Sequence, residues 1–129
     1  MKIKKIARVG TQDGFTLIEI ISVMVIMAVI VSVAIKKFDL LSDRASITAL
    51  QSGIRELRTR ESVAWFDIKL SDGGYTNDVD VYNSVDKSLG PEYIWNPGPE
   101  ISGGSLHFKS HTIDLTRVES TLNSPGSWL

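Results

Sequence analysis

An α+β fold, one long helix packed on a small antiparallel sheet, is predicted by three features of the sequence. An apolar run from Gly14 to Ile35 leads, with no helix breaker, into an amphipathic stretch lasting to about Leu70. Residues 71–100 are crowded with turn formers, and from Gly104 onward apolar and polar residues alternate in two short runs. The chain then divides into a basic leader at 1–14, a membrane-spanning helix at 15–38 and a globular module at 39–129. Within that module the sequence predicts helix to about 70, a loop at 71–100, and a hairpin with a tail at 101–129.

The apolar run has 21 residues after its glycine and is interrupted only by Thr16, Glu19, Ser22 and Ser32. At about 1.5 Å per residue, such a helix crosses a hydrocarbon core of roughly 30 Å. Four basic residues and no apolar stretch precede it, which keeps the N-terminus cytoplasmic and places the C-terminus outside. Glu19 lies inside the run, where an unpaired carboxylate costs on the order of 2.5–3.5 kcal/mol. The helix supplies no cation, so a partner is expected from elsewhere.

At these residues the chain resembles the type IV pilin and pseudopilin superfamily. Gly14-Phe15-Thr16-Leu17-Ile18-Glu19, behind a short basic leader and ahead of an apolar segment, looks like that family's prepilin-type cleavage and methylation motif. The resemblance implies a prepilin peptidase that cuts between Gly14 and Phe15 and methylates the new amino terminus. Glu19 then becomes the fifth residue of the mature chain. It also implies the family's outline, a long helix on a small sheet, and its partners: further copies in a helical homopolymer, other pilins, and an inner-membrane assembly platform. The Phe15 amino group of a neighbouring subunit would be a cation at matching depth. A charge neutralised only between subunits sets register as each subunit is added.

An ordinary secretory signal is the rival reading of the same segment, since Ser32-Val33-Ala34 is an acceptable cleavage site that would leave Ile35 first. The acid inside the run, and a Gly-Phe boundary before the run and not after it, argue against that reading. Two departures from the family stand out. There is no cysteine, where many pilins close a C-terminal loop with a disulfide, and Lys36 stands where type IV pilins often carry a proline. Without that proline the membrane half of the helix is expected to stay straighter.

Beyond Lys36-Lys37 the helix has no reason to stop. No proline occurs before Pro91, and Ile47, Leu50, Ile54, Leu57, Ala64 and Ile68 recur at spacings that put them on one face, with Glu61 the one polar member. The opposite face is expected to carry Arg44, Arg55, Glu56, Arg58 and Arg60 as a solvated surface. Ser71-Asp72-Gly73-Gly74 reads as the stop. Tyr93-Ile94-Trp95 suits a short strand. Leu106 and Phe108, then Ile113 and Leu115, suit a hairpin broken at Lys109-Ser110-His111, giving a sheet of about three strands. The tail from Leu122 is expected to be irregular, with Trp128 tucked against the domain or a neighbour.

Composition narrows the chemistry. The chain carries −1, and loss of Lys2, Lys4, Lys5, Arg8 and Asp13 with residues 1–14 leaves −4, so there is no footprint for nucleic acid. His107 and His111 lack an evident third ligand, and no metal or other cofactor is expected. Asp78 and Asp80, with Asn77 and Asn83 nearby, are weak calcium candidates and read more simply as Asx turns. No catalytic constellation stands out, so an enzyme is not expected, and an aromatic content of 8% does not point to electron conduction. The expectation is a structural subunit of a type IV pilus filament, held in the inner membrane as precursor and lipid-embedded until it joins an extracellular fibre. Within the family the alternative is a type II secretion pseudopilin forming a periplasmic piston. From another class, it is a monomeric single-pass membrane protein with a ligand-binding outer domain.

Overall fold

The computed structural model describes residues 14–129; most of the expected leader, residues 1–13, lies outside the described residues. Six elements follow in order: α1 Leu17–Leu70, α2 Asp78–Ser84, β1 Tyr93–Trp95, β2 Gly103–Phe108, β3 His111–Val118 and β4 Ser127–Trp128. The described chain divides in sequence between Asp39 and Leu40 into two compact units.

Among the described residues of the first unit the only element is the start of α1, which has no interruption at Lys36. Its Ile, Val and Met side chains are exposed along their whole length; none of the apolar window is covered by the chain itself, and the helix is long and apolar enough to cross a membrane. An apolar surface of that extent needs lipid or other protein around it.

The second unit packs the rest of α1 against an antiparallel sheet in the order β1-β2-β3-β4. Leu50, Ile54 and Leu57 meet Leu106, Leu115 and Trp128 in one core; Ala64 and Trp65 meet Val81 and Val85 in a second. The stripe read from the sequence is therefore the packed face, with one correction at each end. Ile47 is 45% exposed and lies outside the core, while Trp65, absent from the predicted stripe, is inside it. Gly53 belongs to that face because the Tyr93 ring lies on it; an added Cβ would sit 2.9 Å from the ring. The Tyr93 hydroxyl donates to the Ala49 carbonyl at 2.8 Å and pins the ring there.

Directly opposite the core the helix is uncharged, which corrects the expectation that Arg44, Arg55, Glu56, Arg58 and Arg60 lie there. At about 100° per residue, the exposed positions there are Leu41, Ala45, Thr48, Ser52, Thr59, Val63, Phe66 and Leu70. The charges flank this stripe, closest where Arg55 and Glu56 straddle it. Two of them also bind back to the domain: Arg58 Nε donates to the Trp128 carbonyl, and Arg60 donates to the carbonyls of Asp86 and Ser88 at 2.9 and 2.8 Å.

The stop at Ser71–Gly74 is as expected, with Gly74 at φ +64°. Residues 71–100 are not a plain loop. Asn77 caps α2, its side chain accepting the Asp80 N–H at 3.0 Å, and Val81 is fully buried. The Asx-type bond foreseen there starts a helix instead of a bare turn. The hairpin forms as expected, with β2 and β3 joined through Lys109-Ser110, and β1 is the short strand at Tyr93. The tail differs: Ser127–Trp128 pairs with β3, Trp128 is wholly buried, and Leu129 exchanges both backbone bonds with Thr116.

Gly103 opens β2 at φ +136°, and a Cβ there would lie 2.0 Å from the Leu115 carbonyl oxygen. Gly103→Ala is therefore expected to cost about 3 kcal/mol or more, combining backbone strain with a backbone clash that no rotamer relieves. Tryptophan-fluorescence unfolding of the full chain in detergent would measure it.

Candidate functional site

Gly14 and Phe15 lie in exposed, irregular backbone just ahead of α1. A Cβ on Gly14 would meet no atom of the described residues within 4 Å. Phe15 is 84% exposed. One residue on, Thr16 caps the helix. Its backbone N–H and its hydroxyl both donate to Glu19 Oε2 at 2.8 Å, and the Glu19 N–H returns to Thr16 Oγ1 at 3.3 Å. This is a capping box, which satisfies two of the donors a helix start leaves open. Ser22, the next polar residue, turns its hydroxyl to the Ile18 carbonyl at 2.7 Å.

The carboxylate thus has hydrogen-bond partners in the Thr16 cap at the start of its helix, which the sequence reading did not name. Two neutral donors do not cancel a charge, however. Among the described residues no cation lies within ion-pair distance of Glu19. Thr16 is the residue the sequence reading missed. Its signal was present as Thr-x-x-Glu ahead of an apolar run.

A second charged cluster lies in the second unit and is largely buried. Arg117 Nε donates to Glu61 Oε1 at 3.1 Å, Nη2 bonds the same oxygen, and Nη1 and Nη2 reach the two Asp78 oxygens at 2.7 Å each. The Trp128 indole N–H donates to Glu61 Oε2 at 3.1 Å, and the Ser120 N–H and hydroxyl donate to Asp78 Oδ1 at 2.6 and 2.7 Å. The Glu61 and Arg117 side chains have no exposed surface. Burial would lower the Arg117 pKa, but the bonds to Asp78 and Glu61 outweigh it and raise it. The cluster ties α1, α2, β3 and β4 together and leaves no buried side-chain polar atom unpaired among the described residues.

The two acids named as calcium candidates do not form one site. Both Asp78 oxygens are held by Arg117 and Ser120, while Asp80 Oδ2 accepts from Thr76 and Asn77 in the α2 cap. The histidines are likewise engaged apart, His107 with Asn96 and Thr112, His111 with Ser110.

Burial would push the Asp78 carboxyl up; its bonds from Arg117 and Ser120 together outweigh that and hold it at about 2. With its folded pKa below its unfolded value, Asp78 contributes stability that is complete above about pH 4 and is lost as pH falls toward 2. Denaturant unfolding across this range is expected to show about 2 kcal/mol of loss from this group below pH 4 and none from it between pH 5 and 7.

The family pattern for the prokaryotic N-terminal methylation motif matches residues 10–35. Neither a curated protein nor a solved structure matches the chain. Gly14, Phe15, the Thr16–Glu19 cap and the exposed apolar start of α1 all fall within the matched segment. Residues 10–35 therefore carry the prepilin leader boundary and helix start of the type IV pilin and pseudopilin superfamily.

Proposed function

We propose that the chain is the precursor of a structural, non-catalytic subunit of a type IV pilus filament. It is held in the inner membrane by the start of α1, cut after Gly14 by a prepilin peptidase, methylated on Phe15, and drawn by an assembly platform into an extracellular fibre of like subunits. The observation that carries this reading is Glu19: a carboxylate capped by Thr16 but without a counter-charge among the described residues, set in an exposed apolar helix. The amino terminus created at Phe15 on a second copy is the cation that matches it. A glycine at position 14, with no described atom within 4 Å of where its Cβ would be, suits a peptidase's need for access.

The uncharged stripe opposite the core supports the same reading. Small and apolar side chains such as Ala45, Ser52, Val63 and Phe66 allow another helix to approach closely where a charged face would not. Contacts of this kind, made by different surfaces on each copy, propagate without closing and yield a fibre. Electron microscopy of sheared surface fibres, labelled with antibody to residues 40–129, tests the proposal. Label along the fibre length, lost on deletion of the chain, is expected. Label confined to the membrane would reject it.

A further inference from the structure

The two flanks of α1 on either side of its uncharged stripe differ in charge. Over residues 40–70, helix geometry at about 100° per residue places Arg44, Arg55, Arg58 and Lys69 on one flank, with no carboxylate of the helix among them. The other flank carries Glu56 and Asp67 against one cation, Arg60, and Asp86 beside it adds a third carboxylate. Arg60 is engaged on its own side: its Nε pairs with Glu56 at 2.8 Å, its Nη1 lies 3.7 Å from Asp86, and it donates to two backbone carbonyls. One flank is net positive and the other net negative.

Arg58 and Lys69 are tied to the tail, donating to the carbonyls of Trp128 and Leu122. Arg44, Arg55 and Asp67 are exposed and form no ion pair among the described residues. The acids next to the two arginines in sequence, Asp43 and Glu56, lie about 100° round the helix and face elsewhere. The spacings also match: 11 residues separate Arg44 from Arg55, and the same 11 separate Glu56 from Asp67. That is about three turns, so each pair stays on its own flank.

Resting on the filament reading, we propose that Arg44 and Arg55 of one copy pair with Glu56 and Asp67 of the next. Copies drawn from one membrane point the same way, so the helices run parallel, offset by about 12 residues or roughly 18 Å along their axes. In that register Arg60 of the second copy lies level with Thr48 of the first, and no like charges oppose each other. Each copy turns its basic flank to one neighbour and its acidic flank to another, and the axial offset makes the series climb instead of closing. The charges select neighbour and register, while the uncharged stripe between them lets the helices approach.

The absence of cysteine in the chain allows a clean test. Full-length chain carrying Arg55→Cys and Asp67→Cys, with Arg44 and Glu56 kept, is assembled into fibres and treated with a short bis-maleimide. The two positions are about 18 Å apart along one helix, beyond the span of the reagent, so only different copies can be joined. A ladder of covalent oligomers longer than dimers is expected, and each single-cysteine variant should give dimers at most. Intact fibres without a ladder, or a crosslink to a different protein, would overturn the contact. Should the double variant form no fibres, charge reversal decides. Arg55→Glu and Asp67→Lys, which leave the Glu56–Arg60 pair in place, should each cut fibre yield on the order of tenfold, and the two together should restore it. Failure to restore would overturn the contact. Fibres that depend on Glu19 but ignore both tests would leave the filament reading standing and remove this one, whereas wild-type chain that forms no fibres overturns both.

Discussion

Arg117→Met is expected to destabilise the second unit, residues 40–129, by about 3–5 kcal/mol. One guanidinium pairs with two carboxylates on different elements, Glu61 on α1 and Asp78 on α2, and neither Arg117 nor Glu61 has any exposed side-chain surface. Removing the cation leaves Glu61 without a counter-charge and without water. Asp78, with 11% of its side chain exposed, has an outlet that Glu61 lacks. Arg117→Lys should recover little of the loss, because a single ammonium cannot span two carboxylates as the planar fork does. Replacing the charged residues together with apolar ones of similar volume should cost far less than removing one, since a buried ion cluster adds little net stability over a well-packed core. Guanidinium unfolding followed by the Trp128 environment measures all three. A loss of this size is a large share of the roughly 5–15 kcal/mol that holds a domain of this kind.

Glu19→Ala is expected to lower fibre yield by on the order of tenfold or more while the precursor inserts in the membrane at least as well as wild type. Insertion improves because a carboxylate in hydrocarbon costs on the order of 2.5–3.5 kcal/mol. Assembly fails because the site that would receive the neighbour's amine is gone. The Thr16 cap complicates the reading, since Ala also removes a capping partner worth about 1 kcal/mol. Glu19→Gln separates the two roles: its amide oxygen can still accept from Thr16, but it carries no charge. A Gln variant that assembles like wild type would show that the carboxylate serves the helix start and not a second subunit. A monomeric anchor would show no defect with either substitution.

The long elements were readable in the sequence because their periodicities are uninterrupted. The apolar run and the stripe through Leu50, Ile54 and Leu57 belong to one helix because nothing between Phe15 and Leu70 breaks it. The hairpin followed from alternation around Lys109-Ser110. What escaped was short or polar. Helix α2 buries only Val81, too little for a period to register, and its Asn and Asp residues look like turn formers because capping a helix uses the same bond as an Asx turn. Glu61 was visible as a polar residue within an apolar stripe, but its partner was not singled out. Arg117 shares the inward parity of Ile113 and Leu115, and that was the available clue. Two-residue pairing of Ser127–Trp128 has no periodicity at all; burial of Trp128 was foreseen, its bond to Glu61 was not. At the N-terminal site, Thr16 and Glu19 read as interruptions of an apolar run until the structure joined them.

Mass spectrometry of the N-terminus of this polypeptide, taken from purified surface fibres, tests the central claim most directly. The expected result is a chain beginning at N-methylated Phe15. A chain that still begins at Met1, that begins at Ile35, or that is missing from the fibres altogether would contradict it.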